Sequence, residues 1–67
     1  MMIGDNIKRI LIEKGYTQTQ LAIKAGCTKS VISRYVNNNR TPSDKMLIKL
    51  SKALGVHISE IVRYGRR

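Results

Sequence analysis

Apolar residues return along the chain at intervals of three and four. The groups are Ile3, Ile7, Ile10 and Leu11; Leu21, Ala22 and Ala25; Ile32 and Tyr35; Met46, Leu47, Leu50 and Leu54; and Ile58, Ile61 and Val62. This spacing gathers each group on one side of a helix, and no stretch alternates apolar and polar residues long enough to compete as a strand. Gly15, Gly26, the run Asn37-Asn38-Asn39 before Pro42, Gly55 and Gly65 punctuate the pattern where the chain must turn. The expected architecture is all-α, with five short helices.

Capping residues place the helix starts. Thr17 with Gln20 three positions on has the form of a capping box, Thr28 offers a hydroxyl to a third helix, and Thr41 or Ser43, on either side of Pro42, does so for a fourth. The helices are expected near residues 4–14, 18–25, 29–37, 43–54 and 58–63, with 64–67 as a loose basic tail. No repeat, low-complexity run or linker interrupts residues 1–67, which read as a single domain.

Between the second and third helices stand only Gly26 and Cys27 before the Thr28 cap, the length of a helix-turn-helix connection. Glycine suits that turn because a left-handed backbone is open to it at no steric cost. Ala22 gives the small side chain that two steeply crossed helices need at their closest approach, and Ile32 closes the corner from the other side. At about 100° per residue with Lys29 at zero, Ser33 falls near 40°, Asn37 near 80°, Ser30 near 100° and Arg34 near 140°. Val31, Ile32, Tyr35 and Val36 occupy about 200° to 340° on the same plot. One side of this helix therefore carries Lys29, Arg34 and three short hydrogen-bonding side chains, while the other can pack on the domain.

Charge sharpens that picture. Among 67 residues, 13 Lys and Arg stand against four Asp and Glu, a formal charge of +9, and none of the acids lies between Tyr16 and Ser43. An ordinary solvated face would carry some carboxylates; their exclusion suits phosphates and base edges. A chain this short buries only about 60 % of its unfolded surface, which leaves little room for an enclosed catalytic centre. Asp5, Glu13, Asp44 and Glu60 are scattered, and no nucleophile, base and oxyanion donor fall into a recognisable motif, so an enzyme is not expected.

The remaining chemistry is sparse. No apolar run approaches the length that crosses a bilayer, and the N-terminal residues do not resemble a secretory signal. Cys27, the one cysteine, cannot form an internal bridge and reads as a small packing residue, with redox sensing as the minor alternative; a cytoplasmic location is expected. His57 has no companion ligands at metal spacing, so neither metal nor cofactor is expected. Tyr35 reads as core rather than as a base-stacking ring, and Lys45, Lys49 and Lys52 as a solvated face. Ile12 and Ile23 are expected on the surface with no assigned role.

The segment YTQTQLAIKAGCTKSVISRYVNNNRTPS, Tyr16 to Ser43, followed by LIKLSKALGVHISEIV, Leu47 to Val62, resembles the lambda-repressor/Cro-like helix-turn-helix domain, also called the Xre family. The likeness rests on Gln18, Leu21-Ala22, Gly26, Ile32, Tyr35, Pro42-Ser43 and Ala53-Leu54-Gly55-Val56. It implies a five-helix DNA-binding domain that acts as a homodimer on a two-fold operator. It places Lys29, Ser30, Ser33 and Arg34 at base edges. Gln18 falls on a phosphate, Asn37 and Arg40 near the backbone, and the caps Thr17 and Thr28 are grouped with them as positioning residues. Asn38 stands where the family often has glycine, and His57 where a helix-capping Ser, Thr or Asp is common. Lys29 and Ser30 are not a glutamine pair, so no known operator carries over.

The leading functional expectation is a sequence-specific regulator of double-stranded DNA, most simply a repressor, with no small-molecule ligand evident. Val56, Ile58, Ile61 and Tyr64 offer more apolar surface than a short last helix needs, and are expected to form a weak homodimer. The alternative is an antitoxin-type module that binds a partner protein and its own promoter; Tyr64 to Arg67 are short for the partner-ordered tail it would favour. RNA is a poorer fit than DNA, because glycine-flanked aromatics for stacking bases are missing.

Overall fold

A computed structural model describes residues 3–62. Among them the chain forms α1 (Ile3–Lys14), α2 (Gln18–Ala25), α3 (Lys29–Val36), α4 (Asp44–Leu54) and α5 (Ile58–Val62), and no strand. The expected helices agree to within a residue at each end. Asn37, placed inside the third helix by the sequence pattern, acts instead as the cap that ends α3, and Ser43, at the first position of the expected fourth helix, is the cap that begins α4. Ser43 rather than Thr41 supplies that second cap, its Oγ accepting from the Met46 N–H at 3.2 Å. The tail expected at 64–67 lies outside the described residues, as does residue 63.

With no Trp or Phe in the chain, the core is aliphatic apart from Tyr35. Ile3, Ile7, Ile10 and Leu11 of α1 meet Leu21, Ala22 and Ala25 of α2, Ile32, Tyr35 and Val36 of α3, Leu47, Leu50 and Leu54 of α4, and Ile61 of α5 in one buried cluster. Helix α1 packs on α3, α4 and α5, while α2 packs on α3 and α4. Three side chains depart from the expected core: Met46 and Val62 are half-buried at its edge, and Ile58 is 39 % exposed. Ser51, which the apolar pattern passed over, is buried because its hydroxyl donates to the Ile48 carbonyl at 2.8 Å and so carries no unpaired donor inward. No described helix is long and apolar enough to cross a membrane.

Candidate nucleic-acid interface

The helix-turn-helix unit is assembled from its caps. Thr17 Oγ1 accepts from the Gln20 N–H at 3.1 Å while Gln20 Oε1 accepts from the Thr17 N–H at 2.8 Å, so the capping box expected from the sequence is closed in both directions. This sets Gln18 as the first residue of α2, half-buried. At the other end Gly26 adopts φ 74° and ψ 35°. The Cys27 N–H then reaches back to the Ala22 carbonyl at 2.9 Å, which satisfies an otherwise orphaned end of the helix. Thr28 starts α3 at once, its Oγ1 accepting from the Val31 N–H at 3.3 Å. Both threonine oxygens act as acceptors in these caps, which leaves each O–H proton free to donate outward, beside backbone N–H groups whose dipoles favour an anion.

Helix α3 divides as its angular plot requires. Ile32, Tyr35 and Val36 are at most 4 % exposed, and Val31 packs half-buried against the same core. Tyr35 is thus a packing residue, as expected. On the outer side Lys29, Ser30, Ser33 and Arg34 line one shallow hollow. Lys29, Ser30 and Arg34 are exposed; Ser33 is half-buried, and its Oγ accepts from Asn37 Nδ2 at 3.4 Å. Asn37 therefore belongs to the base of the same face. Arg40 is exposed in the loop that follows.

The charge around this surface is of one sign. The basic residues Lys24, Lys29, Arg34 and Arg40 fall within the acid-free stretch from Tyr16 to Ser43. Lys24 lies with its Nζ 5.3 Å from the centre of the Tyr16 ring, so the start of α2 and its last turn are joined by a cation–π contact that sequence spacing does not reveal. Lys45, Lys49 and Lys52 are exposed on α4, as expected of a solvated face. Ile12 and Ile23 are exposed too. Among the described residues no group of His, Cys, Asp or Glu is arranged to hold a metal ion. Cys27 is half-buried, and burial pushes its thiol above the ordinary cysteine range while Lys49 pulls it partly back.

One expectation for the C-terminal region is corrected. Ile61 is fully buried, on a helix packed against α1 and α4, and Asn6 Nδ2 donates to its carbonyl at 2.8 Å, so its side chain has no surface to offer a second copy. A helix of five residues keeps its place by spending its best apolar side chain inward. Val56 is half-buried and Ile58 partly exposed, while Tyr64 lies outside the described residues.

The profile of the family described as "Helix-turn-helix" matches residues 7–61. The chain is 42 % identical over 62 residues to the HTH-type transcriptional regulator SinR of Bacillus subtilis (strain 168), a match that takes in 91 % of this chain and 56 % of SinR. It is 37 % identical over 62 residues to the immunity repressor protein of Bacillus phage phi105, over 92 % of this chain and 43 % of that one. The chain thus spans about half the length of these curated relatives. A crystal structure of SinR, the master regulator for biofilm formation, in complex with DNA superposes with a TM-score of 0.85 at 40 % identity, covering 91 % of this chain and 98 % of the other. These relatives are regulators, not enzymes. Five helices, a three-residue turn between the second and third, and a match across nearly the whole described chain agree: the protein belongs to the lambda-repressor/Cro-like, or Xre, helix-turn-helix family of DNA-binding domains.

Proposed function

We propose that this chain is the sequence-reading domain of a transcriptional repressor in the cytoplasm, binding double-stranded DNA as a weak homodimer on a palindromic operator. The observation that carries the reading is the two-sided helix α3: Ile32, Tyr35 and Val36 hold it rigidly on the core while Lys29, Ser30, Ser33 and Arg34 stand together outside. A helix so presented fits the major groove, where Arg and Lys pair with guanine and short hydroxyls meet either partner. Gln18, Thr17 and Thr28 at the two helix starts, with Asn37 and Arg40 beyond α3, would hold phosphates and set the register. Repression is favoured by the phage relative, whose own name is immunity repressor. Dimerisation rests on Val56 and Ile58, a small surface that suits a pair completed on DNA.

Selection of binding sites from random duplexes tests this. Two-fold sites with half-site centres about one helical turn, about 34 Å, apart are expected. A dimer covering about 6–10 phosphates should lose about 10³ to 10⁵ in affinity between 50 and 200 mM salt. Arg34→Ala or Lys29→Ala should cost about 1–3 kcal/mol and relax one base position, whereas Gln18→Ala should weaken all sequences alike and Lys52→Ala should change little. A titration flat in salt, or equal losses for Arg34→Ala and Lys52→Ala with the selected sequence unchanged, would refute the assignment.

A further inference from the structure

The first turn of α1 rests against the end of α3 through one amide. The Gly4 N–H donates to Asn38 Oδ1 at 3.0 Å, and Asn38 Nδ2 donates to Asp5 Oδ1 at 3.2 Å. A cap supplied from 34 positions away ties two elements together, where a neighbouring cap would order one. Asn38 reaches this place only by adopting φ 59°, a left-handed conformation that a side chain resists. The approach is also close. A Cβ at Gly4 would collide with the Tyr35 carbonyl oxygen and lie 2.6 Å from Asn38 Oδ1. The Asn38 N–H donates to that same Tyr35 carbonyl at 3.0 Å, and the Asn39 N–H to the Arg34 carbonyl at 2.9 Å. Gly4, Tyr35 and Asn38 together therefore fix where the chain leaves α3.

What leaves there is the exposed stretch Asn37 to Arg40. We infer that Asn38 is a positioning residue for DNA binding: its amide latches this loop to α1 and so holds Arg40 and Asn37 where a phosphate can be met. The inference rests on the proposed function for the DNA step alone; the ordering of the loop by α1 stands independently of it. Without the latch the loop retains its turn but loses its anchor, and each phosphate contact must then bear the cost of ordering it. Asn38 itself touches no base, so its loss should reduce affinity without changing which sequence is preferred.

Asn38→Gly separates the latch from the turn, because glycine keeps the left-handed backbone and deletes only the amide. The variant should retain the helical circular-dichroism spectrum, and hydrogen exchange of the Asn39 amide, which donates to the Arg34 carbonyl, should quicken by about tenfold or more as local opening becomes easier. Affinity for the selected duplex should drop about tenfold, the scale of one charge-assisted hydrogen bond, at unchanged base preference. Arg40→Ala should weaken binding clearly in the natural sequence and much less in the Asn38→Gly background, since the latch and the arginine act through one contact. Wild-type exchange rates in the variant would overturn the latch, whether or not DNA binds. Additive losses for Asn38→Gly and Arg40→Ala would reduce Asn38 to a helix cap and overturn its role in positioning. Absence of any selected duplex for the natural sequence, with exchange at Asn39 still accelerated, would refute the proposed function and leave the ordering of the loop by α1 intact.

Discussion

Two chain reversals flank helix α3, and each depends on one residue in the left-handed backbone region: Gly26 at φ 74° before it and Asn38 at φ 59° after it. At the first, a Cβ would meet nothing within 4 Å, so the position asks only for conformational freedom. The Cys27 N–H closes the turn locally on the Ala22 carbonyl, and the Thr28 cap restarts the chain. At the second, the side chain is part of the fold, with both ends of its amide on α1. The residue chosen for a left-handed site thus distinguishes a turn that needs direction alone from one that must also be anchored. Glycine is the cheaper answer to the first need; asparagine tolerates the backbone nearly as well and brings the hydrogen bonds that the second requires.

The contrast is broken most directly at Gly4, across from Asn38. Helix propensity alone would make Gly4→Ala stabilising by about 1 kcal/mol. The collision of the new Cβ with the backbone of Tyr35 should reverse that sign and destabilise by about 1–3 kcal/mol, because a carbonyl cannot move aside as a flexible side chain can. Thermal melting would register a fall of about 4–8 °C per kcal/mol for a domain of this size. A rise in melting temperature would mean that α1 does not approach α3 so closely. At Gly26 the effect should be smaller and of another origin: Gly26→Ala should cost about 1–2 kcal/mol through backbone strain, with no clash to relieve. Gly26→Asn should cost less than Gly26→Ala. If the two were equal, the left-handed backbone would not be what this position selects.

The same two reversals show what the sequence reveals. The α2–α3 unit is local: the capping box Thr17–Gln20, Gly26, Thr28 and the two faces of α3 all follow from residues within a few positions of one another, and each is where the spacing placed it. The link from Gly4 and Asp5 to Asn38 spans more than thirty positions, and a glycine in the first turn of an amphipathic helix gives a weak sign of it. Asn38 in place of the family's glycine signalled tolerance for the backbone, but not a partner. Ile61 shows the same limit, because periodicity reports which residues share a face without saying what that face meets. The pattern offers Ile61 as contact surface, while α1 and α4 already cover it.

The finest distinction between the two reversals is available at Cys27, next to Gly26. Burial raises the pKa of its thiol, with Lys49 acting in the opposite sense, so the thiolate should appear at higher pH in the folded chain than in the unfolded one. Alkylation needs the thiolate, and its rate should therefore rise with pH along a curve displaced to higher pH than that of the denatured protein. At neutral pH the folded protein should therefore react more slowly than that reference. Gly26→Ala, which strains the turn holding Cys27, should speed the reaction as the turn opens more often, while Asn38→Gly, which loosens the far end of α3, should leave it nearly unchanged. Equal acceleration by both substitutions would mean that the two reversals open together as one unit, and a folded-state curve coincident with the denatured one would place Cys27 in full contact with solvent.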